Sequence, residues 1–168
     1  DQVDKGDLDM ALIVRPPFAL PGDLYSRVIA REPFVLIAPP EVEGGTVESL
    51  LESHPLVLYD RGSFGGRQVV RFLERQRLRP AIRLELDEID AIARMVECGL
   101  GVALIPLTGL WRRQQPLPVR VISLGEQTFN RELILVSRLS PAQSPLVALI
   151  EAALKETRAT SASDESMK

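Results

Sequence analysis

The chain has 168 residues, of which 45% are apolar and 26% are charged, so it can bury the core of one ordinary domain or two small lobes. Its net charge of −3 argues against a chain that binds a polyanion as a whole, and its single cysteine, Cys98, excludes an internal disulfide framework and a cysteine-rich zinc site. No apolar run reaches the ~18 residues that a membrane-spanning helix needs. The cysteine content favours a reducing compartment, and we expect a cytoplasmic location.

Short apolar runs and helical patterns alternate in the first half of the chain. Apolar runs predict strands over residues 8–14, 34–38 and 56–59. Residues 24–31 have β character although polar Ser26 and Arg27 interrupt it, and residues 82–86 alternate as a half-buried strand does. Thr46 precedes VESLLES and is a predicted N-cap, because its hydroxyl can accept hydrogen bonds from the free amides of a first helical turn. A helix predicted over 67–79, with Val69 and Phe72 on one face, ends at Pro80.

The second half continues this alternation. Asp87 is predicted to cap a helix over 88–98, and Asp90 in the first turn of that helix is favourable for the helix dipole. Strands are predicted over 101–105, 119–124 and 132–138, with a short helix around 106–114. The alternation of strands and helices predicts an α/β fold with a largely parallel sheet.

The last helix is predicted to begin at Ser140–Pro141, because proline is tolerated at the first helical position. Its apolar face is predicted to consist of Leu146, Leu149, Ile150, Ala153 and Leu154. The small and polar residues 158–168 predict a flexible tail.

Residues 98–106, CGLGVALIP, contain a Gly-x-Gly that can belong to a nucleotide-binding loop or to the end of a helix. In a dinucleotide fingerprint the glycines follow a strand and open a helix, whereas here a helix precedes them and a strand follows. Gly99 is therefore predicted to end the helix in a left-handed conformation, and Gly101 to permit close packing at the start of the strand. This structural interpretation is favoured over direct ligand contact, although the turn can line a cleft.

The turn DRGSFGG, residues 60–66, has the opposite order, because a strand leads in and a helix leads out. That order places free amides and the positive end of a helix dipole beside Arg61, Gly62, Ser63 and Phe64, where a carboxylate or similar anion can bind. The turn lacks the Gly-Lys-Ser/Thr of a P-loop, so a nucleoside triphosphate is not expected. An ordinary loop with Ser63 as N-cap is an equally weighted alternative.

Arginines gather on and around the helix over 67–79. They are Arg61, Arg67, Arg71, Arg75, Arg77, Arg79 and Arg83. A nucleic-acid-binding face is one interpretation. A solvated face is favoured, because aromatic residues for base stacking are nearly absent and the arginines spread around the helix.

Candidate catalytic groups are sparse. His54 is the only histidine, so neither a histidine-based metal cluster nor a catalytic triad has support. Cys98 lies at a helix C-terminus, where the dipole disfavours a thiolate, and Trp111 is interpreted as a packing anchor. Strand alternation and helix capping account for the carboxylates of Glu85, Asp87, Glu88 and Asp90. We therefore predict no enzymatic activity, no metal site and no cofactor.

Three segments resemble, in order and spacing, the effector-binding domain of LysR-type transcriptional regulators. They are GDLDMALIVRPP over 6–17, REPFVLIAPP over 31–40 and LELDEIDAIARMVECGLGVALIP over 84–106. The last segment is the most specific, and the resemblance covers roughly residues 5–157. In the family a further strand–helix–strand unit precedes the first segment, so the resemblance implies a domain from which that unit is missing.

The resemblance implies two Rossmann-like lobes of the periplasmic-binding-protein type II kind. One lobe is expected to comprise residues 1–36 with 132–168, and the other residues 37–131. The crossover strands are expected near Phe34–Ala38 and Leu133–Ser137. A small effector, often an organic acid, is expected between such lobes, at positions that match Arg15, Pro16, Arg61, Gly62, Ser63, Phe64, Leu100 and Gly101.

The resemblance also implies partners. Family members pair their effector domains into homodimers and tetramers, and they contact DNA through a separate helix-turn-helix domain that this chain does not include. A solute-binding protein of a transport system shares the two-lobe fold and is the alternative hypothesis. An enzyme on the same scaffold ranks last, because the sequence offers no nucleophile–base pair.

Overall fold

In a computed structural model, we describe residues 2–108 and 118–163, with side chains as far as residue 154. The chain divides into two compact units, Asp1–Arg31 with Glu132–Lys168 and Glu32–Arg131. It passes from one unit to the other inside two strands, Tyr25–Ala38 and Asn130–Ser137. The lobe boundary predicted after residue 36 lies inside the first of these strands.

The helices and strands follow the predicted alternation closely. In chain order they are α1 Gln2–Lys5, β1 Met10–Val14, β2 Tyr25–Ala38, α2 Val47–Ser53, β3 Leu56–Tyr59, α3 Phe64–Gln76, β4 Ile82–Leu86, α4 Ile89–Glu97, β5 Ala103–Pro106, β6 Arg120–Ser123, a 3₁₀ turn Gly125–Gln127, β7 Asn130–Ser137 and α5 Pro145–Ser163. The N-cap prediction for Thr46 is confirmed, because the Thr46 hydroxyl accepts from the Ser49 amide and the Ser49 hydroxyl accepts from the Thr46 amide.

The two strands predicted over 24–31 and 34–38 form one continuous strand, β2. Pro33 stands between the two predicted segments and has no N–H to donate, but its fixed φ suits extended backbone. Its carbonyl still accepts a hydrogen bond from the Leu107 amide at 2.8 Å. The proline therefore removes one donor without ending the strand.

The prediction of a largely parallel sheet is wrong. Among the ladders of the described residues, β1–β7, β2–β5 and β2–β6 are antiparallel, whereas β3–β4 is parallel. A single parallel bridge also joins Leu56 to Val102. Parallel pairing needs a crossover connection, which α3 supplies between β3 and β4. Strand β2 enters the second unit from the first one. Strands β5 and β6 both pair with β2 and run in the opposite direction to β2.

The second unit is built around a continuous apolar core. All four residues of β3 are buried, as expected for a strand covered on both faces. Helix α3 contributes Val69 and Phe72 to this core, and α4 contributes Ile92 and Val96. Phe129 stacks on Phe34, with ring centroids 4.3 Å apart. The core thus fixes both helices against the sheet that carries the turn over 60–63.

The first unit packs α5 against β2 and β7, and two predictions about α5 are wrong. The helix begins at Pro145 instead of Ser140–Pro141, because a second Ser–Pro pair follows and the Ser140 carbonyl closes a turn with the Ser144 amide. The buried face includes Val147 and Glu151, whereas Leu146 and Leu149 are exposed. Ile150 and Leu154 pack on the core as predicted, and Ala153 is exposed.

Two other predictions concern segments that lie partly outside the described residues. The flexible tail predicted over 158–168 is helical as far as Ser163, and its remainder lies outside the described residues. The short helix predicted around 106–114 also lies outside them from residue 109 onward, as does Trp111. None of the described helices is long and apolar enough to cross a membrane.

The buried face of α5 can be tested with two alanine variants. Val147→Ala should lower the free energy of unfolding by about 1.5–3 kcal/mol, because it leaves a cavity beside Ile29 and Leu135. Leu149→Ala should change it by less than about 0.5 kcal/mol, because this side chain is exposed. Urea unfolding followed by circular dichroism measures both. Equal losses in the two variants would contradict the burial pattern described.

Candidate functional site

The turn over residues 60–63 connects the end of β3 to the start of α3. Ser63 is the N-cap, and its hydroxyl accepts from the Gly66 amide at 2.9 Å and donates to the Asp60 carbonyl at 2.7 Å. The predicted strand–turn–helix order is therefore confirmed. The helix begins earlier than predicted, because it includes Phe64 and both glycines that follow.

Gly65 and Gly66 allow α3 to begin directly against the end of β3. A Cβ atom at Gly66 would lie 1.8 Å from the Asp60 carbonyl oxygen, and one at Gly65 would lie 2.5 Å from Cε1 of Tyr59. These separations are far below van der Waals contact, so the backbone approach requires glycine. The two glycines thus position the turn, whereas the sequence assigned them only to a loop.

The amides of the turn were predicted to be free, but those of residues 61–63 donate hydrogen bonds to the chain itself. The Arg61 amide donates to Oε1 of Glu85 at 2.8 Å, and the Gly62 amide donates to Oδ1 of Asp60 at 2.8 Å. The Ser63 amide donates to the Asp60 carbonyl at 3.0 Å. Two carboxylates of the same unit therefore occupy this part of the turn.

Two guanidinium groups accompany these carboxylates. Nε of Arg61 donates to both carboxylate oxygens of Glu85, at 2.9 and 3.2 Å. Nη1 of Arg67 donates to the Gly62 carbonyl at 2.8 Å, and this guanidinium lies over the Phe64 ring, 4.8 Å from its centroid. Arg67 was not among the predicted site residues. Its place in the first turn of α3, within reach of the loop carbonyls, is the signal that could have identified it.

Leu100 and Gly101 do not join this group. The Leu100 amide donates to Met95 and the Gly99 amide to Val96, which is the hydrogen-bond pattern of a helix C-terminus with Gly99 left-handed at φ 76°. A Cβ at Gly101 would lie 2.0 Å from the Pro55 carbonyl oxygen. Pro55 precedes β3 whereas the turn follows it, so the two predicted segments lie at opposite ends of one strand. The structural interpretation of both glycines is confirmed.

The parallel bridge between Leu56 and Val102 gives β5 the direction of β3. The carboxyl end of β5 and the two residues that follow it, 107–108, therefore lie at the same end of the sheet as the turn, where ligands bind in open α/β sheets. Residues 106–108 were not among the predicted site residues. The proline that ends the apolar run was its only signal.

In the first unit, the predicted residue Arg15 is also paired with a carboxylate. Its Nε donates to Oε2 of Glu132 at 2.6 Å, while Nε of Arg31 donates to Oε1 of the same carboxylate at 2.8 Å. These hydrogen bonds, with that from Arg31 the largest cause, hold the pKa of Glu132 below its ordinary value although partial burial opposes the shift. Pro16, which follows, is buried.

A buried ion pair lies in the second unit, close to the end of β3. Nε of Arg131 donates to Oε2 of Glu32 at 2.8 Å, and Nη2 donates to the same oxygen. Both residues are more than nine-tenths buried. Nη1 of Arg131 also donates to the Tyr59 hydroxyl at 3.4 Å. The signal for this pair in the sequence is a charged residue inside each strand that connects the two units, β2 and β7. The sequence-based prediction did not include either residue.

The other groups considered as catalytic or metal-binding candidates lie at helix ends. His54 ends α2, with Nδ1 2.9 Å from the Ser53 hydroxyl oxygen, and Cys98 is an exposed free thiol. The N-cap of α4 is Glu88, without a side-chain hydrogen bond, so the prediction that Asp87 caps this helix is wrong by one residue. Within the described ranges, no group of three or more His, Cys, Asp or Glu side chains could hold a metal ion.

The close approach of α3 to β3 can be tested at Gly66. Gly66→Ala should destabilise the protein by about 3 kcal/mol or more, because a contact of 1.8 Å outweighs the better helix propensity of alanine. Gly22→Ala is the matched control, since nothing lies within 4 Å of the added Cβ, and it should change stability by less than about 0.5 kcal/mol. Thermal or urea unfolding of both variants decides between this geometry and an open loop.

The lowered pKa of Glu132 predicts a pH dependence. A carboxylate whose pKa is lowered by folding adds stability above its ordinary pKa of about 4.3 and loses it as the pH falls through the lowered value. The wild type should therefore exceed Glu132→Gln in stability at pH 7, and the difference should shrink below about pH 4. Urea titrations between pH 3 and pH 7 measure this. A difference that grows toward low pH would contradict the assignment.

A protein-family model described as LysR substrate binding domain matches residues 1–159. The chain is also 30% identical over 147 residues to the uncharacterized HTH-type transcriptional regulator YnfL of Escherichia coli (strain K12), a match that covers 84% of this chain and 48% of that protein. The chain thus spans about half the length of this curated relative.

Solved structures share the fold at low sequence identity. The regulatory domain of CcmR from Synechocystis PCC6803, in complex with 2-PG, matches with a TM-score of 0.72 at 18% identity, over 91% of this chain and 74% of that one. The bromide-bound regulatory domain of HypT from Salmonella typhimurium matches with a TM-score of 0.71 at 15% identity, over 96% and 76% of the two chains.

Proposed function

Because the chain belongs to the LysR substrate-binding domain family, we propose that it is the effector-sensing domain of a LysR-type, DNA-binding transcriptional regulator. Such domains have an α/β fold with two lobes of the periplasmic-binding-protein type II kind. We assign the two compact units to these lobes. The domain is proposed to act without catalysis, in the cytoplasm, as a homodimer or tetramer that contacts DNA through a separate domain.

The proposed effector is a small organic acid. One observation carries this proposal: the Arg61 amide and guanidinium already hold a carboxylate, that of Glu85, through three hydrogen bonds. A site built to hold a carboxylate can hold the carboxylate of a ligand. Two structural relatives, CcmR with 2-PG and HypT with bromide, are also described with small ligands.

The proposed contacts in the second unit are Arg61, Gly62, Ser63 and Phe64, together with Arg67. Leu100 and Gly101 are not included, because they lie at the other end of β3. Arg15 and Pro16 are the proposed contacts in the first unit. Effector binding can change DNA binding only if the effector prefers one arrangement of the regulator over another. The effector is therefore proposed to bias subunit packing.

The proposed site can be tested with paired arginine variants of the full-length protein. Calorimetry against a panel of small carboxylates, shikimate, succinate and benzoate among them, should identify at least one acid that binds. Arg61→Ala should weaken that binding about tenfold or more, because it removes the charge-assisted donor. Arg83→Ala removes the same charge from an exposed position of β4 and should leave the affinity unchanged. Equal effects of the two variants would show that the site is elsewhere.

A further inference from the structure

Glu85 occupies the position in the turn where an acidic ligand would bind. Its carboxylate accepts one hydrogen bond from the Arg61 amide and two from Nε of the same residue, with distances between 2.8 and 3.2 Å. A main-chain amide and a guanidinium together are a typical donor set for a bound carboxylate. Glu85 therefore makes the contacts that the proposed function assigns to the effector.

From these contacts we propose that Glu85 is an internal competitor of the effector and determines the specificity of the site. An acid binds to Arg61 by displacing the Glu85 carboxylate. A neutral analogue carries no negative charge to replace that of the Glu85 carboxylate, so it does not displace Glu85 from Arg61. This inference rests on the proposed function, because it concerns which ligand the same turn accepts.

Displacement of Glu85 is feasible because both partners are reachable from solvent. The side chain of Arg61 is 57% exposed and that of Glu85 is 31% exposed, and an ion pair of this kind contributes little to stability. The hydrogen bonds to Glu85 use the amide and Nε of Arg61, so an entering acid can contact Nη1 and Nη2 before Glu85 leaves. The released Glu85 side chain can turn into water.

Asp60 does not have the same freedom. Its carboxylate accepts from the Gly62 amide two residues later, so it belongs to the turn itself. Its carbonyl oxygen also accepts from the Ser63 hydroxyl at 2.7 Å. Glu85, in contrast, reaches the turn from the neighbouring strand β4, and its departure leaves these local hydrogen bonds intact.

The inference is tested by titrating the full-length protein with benzoate and with its neutral analogue benzamide. Glu85→Gln should bind benzoate about three- to tenfold more tightly than the wild type, because the competing carboxylate of an exposed ion pair is gone. Binding of benzamide should not change. Glu88→Gln is the matched control, since it removes the same charge from an exposed side chain without a capping hydrogen bond. It should leave both affinities unchanged.

Each remaining outcome has a definite meaning. Weaker benzoate binding by Glu85→Gln would overturn the inference, because Glu85 would then position Arg61 and not compete with the ligand. Equal gains in the Glu85 and Glu88 variants would also overturn it, as an effect of net charge. The double variant Arg61→Ala, Glu85→Gln should not show the tighter benzoate binding expected of Glu85→Gln alone.

The test also separates this inference from the proposed function. If the wild type binds benzoate through Arg61 and Glu85→Gln binds it equally well, the proposed competition by Glu85 is wrong. The proposed acid site at Arg61 is then still supported. If the wild type shows no binding but Glu85→Gln does, the competition is supported. If neither protein binds any acid of the wider panel, the proposed acid site and the competition both fail.

Discussion

The ion pair between Glu32 and Arg131 is the constraint on which the second unit depends. The two residues are the first and last of that unit, and each lies in a strand through which the chain enters or leaves it. Removing a charged pair from water costs free energy that only close, well-oriented partners recover. The pair therefore tolerates little change in the relative position of β2 and β7 at this point. Every other element of the unit is built between these two anchored ends.

Tyr59 connects this pair to the candidate site. Its hydroxyl accepts from Arg131, while its ring lies against the backbone of Gly65 at the start of α3. The turn that holds Arg61 follows directly after Tyr59 in sequence. A change in the turn can therefore reach the crossover strands through one side chain and one helix start, without passing through the apolar core. This contiguity is geometric, and coupling along it follows only if both ends have two arrangements.

The sequence predicts what local patterns determine. Apolar runs, Thr46 as a cap and Gly99 as a helix end depend on neighbours within a few residues, and all are found. The wrong predictions of strand direction and of the buried face of α5 depend on distant partners. The direction of β5 and β6 relative to β2 depends on where the chain enters the unit. The buried face of α5 depends on Glu151, whose buried carboxylate accepts from Tyr25 and Arg27, and no apolar pattern reveals such a contact. At the turn, the position of Arg61 was predictable, but its pairing with Glu85 was not, because the parallel strand β4 brings Glu85 there.

The charges gathered at the turn have a consequence for how fast a ligand arrives. Asp60 and Glu85 carry two negative charges, and Arg61 and Arg67 carry two positive ones, so the formal charges of these four side chains cancel. Side chains whose charges cancel add little to a long-range field that would steer an anion, so these four make the association rate of an acid depend little on ionic strength. Recognition is then decided at contact, after the ligand has arrived. If an acid binds here as proposed, unrelated anions gain little from the charges of these four side chains.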